Sequence, residues 1–148
     1  MDRSMEAAQF MRDKGFNCAQ SVVKAFSAEL GVPEDAAVKM AASFGAGLGR
    51  NGLVCGAVTG AAVVLGARFG FDDPAAPDGR ERIYAKVTAL LDRFQQQHGS
   101  ILCRELLAID PKNPEEWKRI RREGKHDQLC PLFVQSCAEI LEELLRAE

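Results

Sequence analysis

Five cysteines in a chain of 148 residues are the side chains with the most chemistry to offer: Cys18, Cys55, Cys103, Cys130 and Cys137. A thiolate is a nucleophile toward disulfides and a ligand for soft metals, so the set points to thiol–disulfide exchange or to metal binding. A free cysteine is also a small hydrophobe that fills cores, and any single one can serve that purpose alone. No two of the five have CxxC spacing, which excludes a thioredoxin-type site, and CxxCH is absent, which excludes c-type haem attachment. The first four stand 27 to 48 residues apart. Such gaps are too wide for the close ligand pairs of a zinc finger. Four distant thiolates can still converge in a bundle on zinc or an iron–sulfur cluster. In any fully paired disulfide scheme one thiol is left over.

Other residue types offer less. His98 and His126 lie in polar stretches, and no Ser/His/Asp set or metal-type carboxylate cluster can be assembled from spacing. The pairs Glu115–Glu116 and Glu142–Glu143 read as solvated helix faces. The glycine-dense segment GAGLGRNG (45–52) follows an alanine-rich helical stretch rather than a strand, so it is not a dinucleotide fingerprint. It also lacks the GK[ST] of a phosphate loop. Its better reading is a helix stop and a tight turn that delivers Cys55 to the next helix, with Arg50 either near that thiol or solvated.

The elements that must position these thiols are helices. No run of alternating β-branched residues lies between turn signals. A first helix runs from about Arg3 to Lys14 and stops at Gly15. Asn17 caps the next, with Gln20 completing a capping box, and Val22, Val23, Phe26 and Leu30 form its apolar stripe. Pro33 opens a third, with acidic residues in its first turn. A fourth, from about Leu53 to Phe69, is apolar on nearly every side and therefore central. Its Gly56 and Gly60, four apart, permit close helix approach. After the loop FDDPAAPDG a long helix spans about Gly79 to Gln97, and Ser100 caps the short helix ILCRELL. One helical stretch after Pro114 is anchored by Trp117 and Ile120, and the last helix begins near Pro131. The expectation is an all-α, single-domain helical bundle of about six to eight helices covering 1–148.

On this reading Cys18, Cys55, Cys103 and Cys130 lie at or near helix starts, Cys130 as an N-cap. Unpaired backbone N–H groups and the positive end of the helix dipole there favour thiolate over thiol. Cys137 differs. It lies two turns beyond Cys130, about 10 Å along a helix, too far for a direct bond between them, and it falls in the apolar stripe. It reads as core.

Composition sets the outer bounds. Apolar residues make up 47% and charged residues 27% of the chain, with net charge −2, an ordinary globular balance with no basic patch for nucleic acid. The N-terminus lacks a signal-peptide pattern. The longest apolar run, 53–67, is shorter than the roughly 20 residues that span a bilayer. A cytoplasmic protein is the expectation, and in a reducing compartment a wealth of cysteine favours redox or metal chemistry over permanent disulfides.

The block GAGLGRNGLVCGAVTGAAVVLG, with FNCAQSVVKAF before it and CRELL and CPLFVQSCAEILEELL after it, resembles the C_GCAxxG_C_C family of redox-active proteins along nearly the whole chain. Here the signature reads CGAxxG, so the first two residues stand in the reverse order to the family label. The resemblance implies that the four family cysteines are Cys18, Cys55, Cys103 and Cys130, with Gly56, Ala57 and Gly60 completing the signature. Cys137 falls outside it. The leading expectation is a thiol–disulfide oxidoreductase or electron-transfer protein in which Cys55 is the reactive thiolate and Cys18, Cys103 or Cys130 resolves it. A redox donor or acceptor protein would be its partner. The alternatives are four thiolates holding zinc or an iron–sulfur cluster, and an interaction bundle with inert buried cysteines.

Overall fold

The computed structural model describes residues 2–147 and is all-α, with eight helices of five or more residues among them. They are α1 (Arg3–Lys14), α2 (Cys18–Ala25), α3 (Glu34–Ala41), α4 (Gly56–Phe69), α5 (Gly79–His98), α6 (Cys103–Leu107), α7 (Pro114–Arg122) and α8 (Lys125–Arg146). Local chemistry explains most boundaries. Asp2 accepts from the amides of Ser4 (2.8 Å) and Met5 (3.1 Å) to start α1, and Gly15, at φ 79°, ends it. The Asn17–Gln20 capping box forms as expected: Asn17 Oδ1 accepts from the Gln20 amide at 2.9 Å, and Gln20 Oε1 from the Asn17 amide at 3.2 Å. Pro at the first position and Asn113 at the cap open α7.

The core gathers around α4, which packs against α2, α5 and α8 and buries Val58, Val64, Leu65 and Phe69. Around it lie Phe26 of the α2 C-cap, Leu90 and Phe94 of α5, and Ile140 and Leu141 of α8, all essentially without solvent contact. Each such side chain contributes roughly 1.5–3 kcal/mol of burial. The spacing of Gly56 and Gly60 does what it promised. A Cβ at Gly60 would stand 2.8 Å from the carbonyl oxygen of Ala19, so only hydrogen there lets α4 lie against the α2 backbone. No helix among the described residues is long and apolar enough to cross a membrane.

Two boundaries differ from expectation, each for a physical reason. Helix α4 begins at Gly56 rather than near Leu53. Residues 53–55 are held extended against 101–103 by an isolated antiparallel bridge, Val54 to Leu102, with Cys55 N–H donating to Ile101 O (2.8 Å) and Cys103 N–H to Leu53 O (2.7 Å). Helix α8 begins at Lys125, after Gly124 at φ 80°, and not near Pro131. Pro131 lies inside the helix and cannot donate to the carbonyl one turn back, yet buried packing of the second half of α8 carries the helix through it. Cys130 is therefore an interior helical residue, not an N-cap.

Candidate functional site

The glycine-dense segment forms neither an ordinary helix nor a simple turn. Ala46 (φ 54°), Gly47 (67°), Leu48 (64°), Gly49 (62°) and Arg50 (70°) are consecutive left-handed residues. The amide of Gly49 closes on Gly45 O, that of Arg50 on the same carbonyl at 3.2 Å, and that of Leu53 on Gly47 O at 3.1 Å. Together these make a short turn of left-handed helix. L-residues adopt this conformation singly, at a cost of roughly 1–2 kcal/mol each, and runs of it are avoided. Glycine relieves Gly47 and Gly49, but Ala46, Leu48 and Arg50 keep their strain. Neighbours hold it in place: Asn17 Nδ2 donates to Ala42 O at 2.9 Å just upstream, and a Cβ at Gly47 would stand 2.8 Å from that of Cys103. Strain so firmly held is characteristic of sites with a task.

Three devices bring the four family cysteines around this turn. Cys18 is the first residue of α2, fixed by the capping box. Cys55 caps α4 and Cys103 opens α6, each one residue past the bridge pair. Since side chains alternate along extended chain, the bridge turns both cysteines to the face opposite Val54 and Leu102. Cys130 comes from the second turn of α8. All four line one cavity of about 910 Å³. Cys137 does not; it is fully buried in the α8 seam, and its core reading agrees with that burial. All five thiols are free.

Burial dominates the thiol electrostatics. It pushes Cys18 up from its ordinary value, Cys55 and Cys137 well up, Cys103 up to about 12, and Cys130 up as well. The expected lowering at helix starts is thus outweighed by the loss of water around the sulfur, most clearly at Cys55. Cys18 is set apart by what opposes its burial. The backbone N–H groups of Ala46, Ala19 and Gly56 favour its thiolate. One belongs to the left-handed turn, one to the start of α2 and one to the start of α4. Gly56 can do this because it has no side chain; a Cβ there would collide with Cys18 Sγ. A negative charge on Cys18 raises the other four thiols further, and Cys55 also senses Cys137 and Cys130.

Motif reading set only Arg50 near a thiol; further residues stand beside the sulfurs. Trp117, Arg121 and His126 line the cavity, as do Arg12 and Arg50. Arg50 lies over the Trp117 ring at 5.3 Å and Arg121 at 5.9 Å, while His126 meets that ring edge-on at 5.4 Å. Burial lowers the His126 pKa, and its Nδ1 lies 3.2 Å from Asp127 Oδ1. The lone tryptophan was the available signal, since one large aromatic in an otherwise polar stretch needs a surface to cover. His98 is elsewhere, half-buried between Phe94 and Phe133 with Nε2 2.9 Å from Ser136 Oγ. Among the described residues, no group of three or more His, Cys, Asp or Glu side chains is disposed to hold a metal ion.

Neither curated proteins nor solved structures give a match to this chain. A family model does, over residues 16–144, a span that takes in all four cavity cysteines, the left-handed turn and the signature glycines. On that match the chain belongs to the C_GCAxxG_C_C family, described as putative redox-active protein.

Proposed function

We propose that the protein performs thiol–disulfide exchange, with Cys18 as the attacking thiolate and Cys55, Cys103 or Cys130 as the resolving thiol. The observation that carries this reading is that Cys18 shares one cavity with three further thiols, with the start of α4 so close to its sulfur that a Cβ at Gly56 would collide with it; the backbone N–H groups of Ala46, Ala19 and Gly56 favour its thiolate. Backbone amides fixed in advance stabilise a developing or departing thiolate without reorganising, and in a poorly hydrated site they act strongly. Cys55, the first choice from sequence alone, has burial and the Cys18 charge against it, and so suits the resolving step.

The chemistry balances as two exchanges. The Cys18 thiolate attacks one sulfur of a substrate disulfide, the substrate S–S bond breaks, and one substrate thiolate departs and is protonated. A second cavity thiol gives its proton to solvent and attacks the Cys18 sulfur of the mixed disulfide. A protein disulfide forms and the second substrate thiol leaves. The protein is oxidised and the substrate disulfide reduced; a donor dithiol reverses the protein's part.

The test is to treat the fully reduced native protein with a small disulfide, quench with acid, and map products by mass spectrometry. An internal disulfide containing Cys18 is the expected product, and Cys18→Ser removes it. Retention of all thiols in the reduced form under these conditions would overturn the reading.

A further inference from the structure

The charge around the cavity is lopsided. Arg12, Arg50 and Arg121 line it against a single carboxylate, Asp127, which already faces His126. None of the three arginines has a carboxylate within ion-pair distance among the described residues, although the chain as a whole is net negative. Elsewhere Glu29 and Glu142 hold Arg3, Glu34 holds Lys24, and Glu143 holds Arg93. The cavity lining thus carries three guanidinium groups to one carboxylate. A second, smaller cavity of about 310 Å³ adjoins the first, sharing Gly49, Arg50 and Trp117 and adding Lys112 and Lys118, with no acidic residue in its lining.

From this we infer that the cavity takes a low-molecular-weight disulfide bearing carboxylates. Its S–S bond would meet Cys18 and its acid groups would run past Arg50 and Trp117 toward Lys112 and Lys118. The main cavity is of the size that admits small ligands, and the guanidinium groups match carboxylates in geometry as well as charge. The inference rests on the exchange reading and names its substrate class. Cys18 displaces one carboxylate-bearing thiolate, which is protonated by solvent. A second cavity thiol then loses its proton to solvent and releases the other half as a thiol, so that the substrate gains the two electrons that the protein thiols lose.

Three probes test it: glutathione disulfide (anionic), hydroxyethyl disulfide (neutral) and cystamine (cationic). Oxidation of the reduced protein by each is followed, and each rate is divided by that of a small reference thiol with the same probe. The expected normalised order is anionic, then neutral, then cationic, with about tenfold between the ends at low salt, narrowing as salt is raised. Arg50→Gln and Arg121→Gln should each lower the anionic-to-cationic ratio. Both residues are exposed, so folding is not at risk. Equal normalised rates, a preference for cystamine, or an unchanged ratio in both variants would overturn the inference while leaving exchange intact. Failure of all three probes to oxidise the protein would overturn the exchange reading and the inference with it.

Discussion

Cys18 and Cys137 are the same residue in two regions of one molecule, and almost everything around them differs. Cys137 sits in the α8 seam among Val134, Ala138 and Leu141, where side chains pack side chains and no solvent enters. Cys18 sits where helix ends meet a strained turn, and its neighbours are backbone amides. Burial raises both thiols, but only at Cys18 does anything answer it. Cys137 has only side-chain packing around its sulfur, whereas backbone N–H groups favour the Cys18 thiolate against its burial. The comparison also explains Gly56 of the signature, since backbone can approach a sulfur this closely only where no Cβ intervenes.

The largest effect should come from exchanging the two residues' fates. Cys18→Ser is expected to abolish disulfide formation, and Cys137→Ser to leave Cys18 chemistry in place while destabilising the core, as read by product mapping and urea unfolding. If the two variants lose oxidation equally, the contrast between the regions fails. Next come the glycines that face α2. Gly56→Ala and Gly60→Ala force a Cβ into Cys18 Sγ or the Ala19 backbone, and each should cost about 1–3 kcal/mol in urea unfolding. Gly66, on the same helix, has open space where its Cβ would be, so Gly66→Ala should gain up to about 1 kcal/mol.

A pH series sharpens the contrast further. Thiols raised on folding keep their protons in the native state longer than in the unfolded chain, so the unfolded state loses protons first. Stability should hold below roughly pH 8.5, the unfolded thiol value, and fall as pH rises beyond it. Cys137→Ala should flatten that fall, because the Cys137 thiol is raised well above its ordinary value. The smallest effect belongs to the turn: Leu48 is exposed at φ 64°, so Leu48→Gly should release strain without losing packing, a gain of about 1 kcal/mol or less.

What was legible in the sequence was what is local. The capping box at Asn17, the stop at Gly15, the span of α5 and the close-packing glycines of α4 all depend on residues within a few positions of one another, and all were readable. Cys130 was misplaced because Pro131 looks like a helix opening; nothing nearby reveals that packing further along α8 outweighs a missing amide donor. The left-handed turn was half visible. Glycines at 45, 47 and 49 announce unusual backbone, but no propensity assigns that conformation to Ala46, Leu48 and Arg50. The arrival of Arg121, His126 and Trp117 over the thiols is a product of long-range packing and left no local mark.

The Val54–Leu102 bridge has a consequence for how the molecule assembles. It joins two segments separated by all of α4 and α5, so it can form only after that loop has closed, and contacts of such sequence separation come late and slowly. Cys18 and Cys130 enter from still further apart along the chain. The relations among the four cavity sulfurs are therefore all non-local, and the helices can form and begin to pack before any two of these sulfurs meet. The four thiols are thus far apart along the chain and are brought together only by tertiary packing.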